Sequence, residues 1–153
     1  MYQRILVPID GSETSWRGLS EALRLAAPDR SELLLLYIVD DFPTVRQLAS
    51  SVPIDEQEKQ RLRAGEELLT RGLQLARAAR VRARTTSKLA VDSTPGTILA
   101  TAAAEGCELI VIGTHGHGGI RRAVLGSVAD HVSRHSPVPV MLVPPSTKPA
   151  AAA

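Results

Sequence analysis

The sequence predicts an α/β protein, a single domain built on a doubly wound, five-stranded parallel sheet in the order 3-2-1-4-5 with helices on both faces. Three observations carry that prediction. Short continuous apolar runs closed by turn residues alternate with segments whose apolar residues recur at three- and four-residue steps. Most of the runs are unbroken rather than alternating, as in parallel strands covered on both faces. The chain has 153 residues, 44% of them hydrophobic, enough to bury one core without disulfide or metal staples.

Ile5-Leu6-Val7-Pro8-Ile9, rich in β-branched residues and ended by Asp10-Gly11-Ser12, reads as the first strand. Trp16, Leu19, Leu23 and Ala26 share one helical face, so residues 13–27 form the first helix, with Ser12 as N-cap and Pro28-Asp29 as its stop. Residues 33–39 make the second strand. Residues 40–54, with Pro43 and Pro53 and no periodicity, read as a loop. Leu62, Leu69, Leu73 and Ala76 then mark the apolar side of a long amphipathic helix over 55–80. Residues 81–89 alternate Val81, Ala83 and Thr85 with Arg82, Arg84 and Thr86, the pattern of a strand near a sheet edge. A third helix opens with Thr94 as N-cap and Pro95 in its first turn, and its stripe of Ile98, Leu99 and Ala102 runs on towards Gly106. Residues 109–112 form a fourth strand entering a glycine-rich segment, residues 127–135 a short helix, and residues 138–143 the last strand. The domain is expected to span 1–145, followed by a disordered proline- and alanine-rich tail over 146–153.

Composition excludes several classes of function. The net charge of +2 sets up no field that demands a polyanion, and 3% aromatic residues leave almost no stacking platform, so no nucleic acid is expected as partner. No apolar run approaches the roughly 20 residues that cross a bilayer, so no membrane partner is expected either. The single cysteine, Cys107, cannot form an internal disulfide; with an apolar N-terminal run too short for a signal peptide, it points to the cytosol.

In an open doubly wound sheet, ligands sit beyond the carboxyl ends of the strands, where the strand order reverses. Here that point falls between the first and fourth strands, whose turns are Asp10-Gly11-Ser12 and the segment from Gly113 to Gly119. Glycines let backbone N–H groups approach an anion closely, and the helix opening at Gly126-Ser127 adds free donors and a favourable dipole. A phosphate-bearing ligand is therefore expected. Two familiar phosphate loops are excluded. Gly118 is followed by Gly119 and Ile120 rather than Lys and Ser or Thr, and Arg121 stands where a dinucleotide fingerprint needs glycine.

Gly113, two residues, Gly116, nine residues and then Gly126-Ser127 is a spacing that resembles the ATP-binding signature of the universal stress protein family. The opening residues Ile5 to Ser12 look like that family's first strand and turn, and Val138 to Val143 its last strand, so the resemblance covers residues 2–143. It implies adenine against Pro8, Asp10 and the end of the second strand at Val39, with Ile112 and Gly113 nearby. It also implies phosphates held by Gly116, Gly126, Ser127 and the backbone of Val128. The turn from Asp92 to Gly96 is less acidic and glycine-rich than the family's loop often is, and Cys107-Glu108 replaces a frequent Ala-Asp pair. The family's habit of pairing through the last strand implies a homodimer, as does the unprotected apolar edge that Val138 to Val143 would form.

Each residue also has a plainer role. Asp10 would tighten its turn, and Ser127 would cap the helix it opens. His115 and His117, two apart with no carboxylate or cysteine neighbour, read as solvated loop residues rather than metal ligands. Arg121 and Arg122 either neutralise phosphates or are merely exposed. Cys107 reads as inert, and Arg77, Arg80, Arg82 and Arg84 as a solvated face, with an acidic partner as the alternative. The function expected is a cytosolic stress-response module that binds ATP, with Mg²⁺ on its phosphates, and whose nucleotide state an unknown regulatory protein reads. No catalytic residue is assigned, and at most weak intrinsic hydrolysis is expected. The alternatives are a slow ATP hydrolase or self-phosphorylating enzyme, and a nucleotide-free dimeric scaffold.

Overall fold

The computed structural model describes residues 1–40, 51–115 and 124–146. Five strands, β1 (Arg4–Pro8), β2 (Glu32–Val39), β3 (Arg82–Leu89), β4 (Leu109–Gly113) and β5 (Val140–Val143), pair in parallel in the order β3-β2-β1-β4-β5. Among the described residues four helices connect them: α1 (Glu13–Asp29), α2 (Ile54–Ala78), α3 (Thr94–Ala104) and α4 (Ser127–His135). The strand order and the parallel sense are those expected from the sequence.

The pleat divides the core in two. Leu33 and Leu35 of β2 pack with Val7, Val111, Leu19 and Leu69 on the side of α1 and α2. Leu34 and Leu36 pack with Leu6, Ile110, Ile98 and Val132 on the side of α3 and α4. Successive β2 side chains point to opposite faces, so an unbroken leucine run fills both cores at once. β3, at one edge, keeps only half-buried or exposed side chains.

Local chemistry shifts several element ends. α1 runs through Pro28 to Asp29 rather than stopping at Ala27. A proline in the last turn forfeits one backbone bond at an exposed position, and the helix closes at Arg30, whose φ of 55° is left-handed. The cap of α3 is Ser93 rather than Thr94: its hydroxyl accepts from Gly96 N at 3.1 Å. β5 starts at Val140 rather than Val138 because Pro139 has no N–H to offer, although its carbonyl accepts from Ile110 N at 3.0 Å.

α2 differs from expectation in how it packs. Leu62 is exposed and Leu73 half-buried, whereas Gly65, Leu69, Gly72 and Ala76 face the sheet. A Cβ on Gly65 would lie 2.2 Å from the Tyr37 ring, and one on Gly72 would lie 2.7 Å from a Leu35 methyl. The two glycines bring helix and β2 close together, Gly65 against the Tyr37 ring and Gly72 against the end of Leu35.

At the amino end of the sheet, Arg84 is part of an ion-pair network rather than a solvated face. Its guanidinium lies 2.7 Å from Glu105 and 3.6 Å from Glu32, which also pairs with Arg4 at 2.8 Å. The Arg84 guanidinium holds the Glu105 carboxyl below its ordinary range. The site lies at the opposite, carboxyl end. The tail beyond residue 146 falls outside the described residues.

Candidate functional site

A cleft of about 1010 Å³ opens over the carboxyl ends of β1, β2 and β4. Pro8, Asp10 and Ser12 bound it after β1, Ile112, Gly113 and His115 after β4, and Gly126, Ser127 and Val128 at the start of α4. The reversal of strand order between β1 and β4 leaves the helices on either side diverging from one crevice, as expected of this topology.

The floor is tightly joined. Asp10 Oδ1 accepts from Ser12 N at 2.9 Å and from Ser12 Oγ at 2.5 Å, while Ser12 caps α1 by accepting from Ser15 N at 3.2 Å. The Thr14 hydroxyl donates to the His115 carbonyl, fastening the turn after β4 to the start of α1. Gly113 is needed at that junction, since a Cβ would stand 2.5 Å from Thr14 Oγ1 and 2.7 Å from its carbonyl carbon. Gly126 N donates to Thr114 O at 2.8 Å, returning the chain to the cleft, and a Cβ on Gly126 would lie 2.7 Å from that same carbonyl oxygen.

α1 and α3 both begin with a serine side chain bonded to a backbone N–H. α4 does not. Gly126 occupies its cap position with extended backbone and no side-chain hydrogen bond, and Asp130 N is the first to find an intrahelical carbonyl, Gly126 O, at 2.9 Å. Among the described residues no acceptor meets the N–H groups of Ser127, Val128 and Ala129, and all three residues line the cleft. Ser127 is the first residue of the helix, not its cap. Uncapped donors at the positive end of a helix dipole form an anion-binding arrangement.

The expected site residues Pro8, Asp10, Ile112, Gly113, Gly126, Ser127 and Val128 come together on this cleft, whereas Val39 does not line it. Val39 is buried, and the lining at the end of β2 is Leu36, Tyr37, Ile38 and Asp40. Gly116 and the arginines 121 and 122 lie outside the described residues. His115 departs from the solvated reading: it is half-buried in the lining, with Nδ1 2.7 Å from Thr114 Oγ1 and a buried Nε2 that has no partner among the described residues. Sequence reasoning also missed the wall that α2 supplies, with Arg61, Glu67 and Arg71. Arg71 stacks over Trp16, 4.5 Å from the ring centre. Burial pushes the Tyr37 phenol above its ordinary value, opposed by nearby Arg61 and reinforced by Asp10. Among the described residues no cluster of three or more His, Cys, Asp or Glu is disposed to hold a metal.

Fold and cleft together define a small, doubly wound α/β domain with a cleft at the switch point. A sequence profile of the universal stress protein family matches residues 1–144, and the chain belongs to that family. It is 32% identical over 145 residues to a universal stress protein of Methanocaldococcus jannaschii, covering 94% of this chain and 82% of that one. A solved universal stress protein family member from Burkholderia pseudomallei superposes with a TM-score of 0.77 at 27% identity, covering 94% and 96% of the two chains. Two further solved structures share the fold: a universal stress protein in complex with cAMP (TM-score 0.71, 24% identity, 95% and 99% covered) and one from Archaeoglobus fulgidus in complex with dAMP (TM-score 0.66, 22% identity, 93% and 98% covered).

Proposed function

We propose that this protein binds an adenine nucleotide, ATP with Mg²⁺ on its phosphates, and acts as a nucleotide-dependent regulator in the stress response. The observation that carries the reading is the uncapped start of α4, whose Ser127 and Val128 border the same cleft as Asp10 and Gly113. The phosphates would lie against those N–H groups, with Gly116 completing their loop. The nucleoside would extend across β1 towards the end of β2, past Pro8 and Ile112. The cAMP and dAMP complexes of the two relatives support an adenine nucleotide as the class of ligand.

A magnesium ion fits this arrangement as a passenger on the phosphates rather than as the occupant of a protein cage, because Mg²⁺ commonly takes only one or two carboxylates besides phosphate oxygens. Asp10 is the carboxylate that borders the cleft between the β1 and β4 turns. The reading further includes a homodimer formed through the β5 edge, a cytosolic setting and a protein partner that distinguishes the loaded from the empty state.

The test is a calorimetric titration of ATP into wild type and Gly116→Val, with circular dichroism to verify the fold. The expected result is that wild type binds and the valine variant, still folded, does not. Equal affinity in the two proteins contradicts the site. Multiple-turnover phosphate release well above background would replace the regulator with a hydrolase.

A further inference from the structure

Arg61 of α2 plays no part in the phosphate argument, yet it lines the cleft beside Tyr37 and Asp40. One terminal nitrogen of its guanidinium donates to Asp40 O, at the end of β2, at 2.7 Å. Its Nε–H is buried and has no acceptor among the described residues, and no described carboxylate lies within ion-pair distance of it. A residue that served only to tie α2 to β2 would need the terminal nitrogens alone, and its Nε–H would be free to face water. Here one N–H of a half-buried guanidinium is held out of water in the wall of the cleft, where leaving it unbonded is destabilising unless a ligand supplies the acceptor.

Position in the sheet narrows what that ligand atom is. β1 lies between β2 and β4, so two strand spacings, roughly 10 Å, separate the strand end that anchors Arg61 from the end that leads to α4. Arg61 therefore stands at the end of the cleft away from the phosphate donors. Tyr37 marks the same end, since it lines the cleft at the end of β2 and Arg61 acts electrostatically on its phenol.

We propose that Arg61 is a ligand-contacting residue for the nucleoside half of the bound nucleotide, its Nε–H donating to an acceptor on the base or ribose. The inference rests on the nucleotide reading above and goes beyond it by giving α2 a part in recognition. It is tested by titrating adenosine, AMP and ATP into wild type, Arg61→Lys and Arg61→Ala. Lysine keeps the charge and the reach to Asp40 O but has no donor at the Nε position, so Arg61→Lys remains informative should Arg61→Ala fold poorly.

The expected result is that Arg61→Lys binds all three ligands more weakly by one common factor, roughly 10- to 100-fold, with a melting temperature close to that of wild type. 2′-Deoxyadenosine narrows the acceptor: the same loss means the base or another ribose oxygen, and no loss means the 2′-hydroxyl. A factor that grows from adenosine to ATP would put Arg61 on the phosphates and overturn the inference, as would unchanged affinity in both variants. A wild type that binds none of the ligands defeats the nucleotide reading itself.

Discussion

Gly113 joins two layers of the molecule through an atom it lacks. Its missing Cβ leaves room for Thr14, and Gly113→Ala is expected to cost about 1–3 kcal/mol in urea denaturation, since part of what it would strike is backbone. A change under about 0.5 kcal/mol would mean that α1 and β4 are less tightly fitted than their geometry implies. Cys107 illustrates burial acting on chemistry: desolvation pushes its thiol from 9.0 up to about 11. Because the folded value is the higher one, the neutral thiol's contribution to stability is complete below about pH 9 and disappears as pH rises towards 11. Comparing wild type with Cys107→Ala in denaturant melts from pH 8 to 11 should show the wild type losing more stability; parallel curves would deny the shift. At this scale the sequence was only partly legible. The placement of Asp10, Gly113 and Gly126 at the cleft could be read because turn chemistry and glycine spacing are local signals. Val39 was not, because which of two neighbouring residues meets a cleft depends on where the pleat ends. Arg61 and His115 were missed because their burial is created by chain far away in sequence.

Elements were legible where periodicity is strong and less so where packing uses small residues. The apolar periodicity of α2 runs through Leu62, yet the helix meets β2 through Gly65 and Gly72, which carry no hydrophobic signal. A test separates the two contacts. Gly65→Ala brings a methyl against the Tyr37 ring, whereas Gly72→Ala meets only the far end of Leu35, which can swing aside. Since alanine in a helix gains about 1 kcal/mol over glycine, Gly72→Ala is expected to be near neutral, and Gly65→Ala to lose about 1 kcal/mol net and to weaken nucleotide binding by displacing Tyr37. Urea denaturation and titration measure both, and equal effects at the two positions would contradict the packing. Pro28 and Pro139 show why element ends moved: a proline removes one donor, which an exposed last helical turn tolerates and which leaves Pro139 just ahead of the first paired residue of β5.

The architecture of the whole molecule was the most legible level, because alternating buried strands and helices with right-handed connections leave few topologies to choose from. The sheet ends at β5, where Met141 is half-buried and Leu142 is 36% exposed. The proposed homodimer would cover that edge. Sedimentation at micromolar concentration should give a dimer for wild type and a monomer for Leu142→Lys, and a monomeric wild type would contradict it. The central claim is that the backbone donors opening α4 receive phosphate across the cleft from Asp10. The most direct measurement is a crystal structure of the protein grown with ATP and Mg²⁺. Phosphate density within hydrogen-bonding reach of Ser127 N and Val128 N, with the nucleoside lying over β1 and β2, is the result predicted; an empty cleft, or nucleotide bound elsewhere on the molecule, would contradict it.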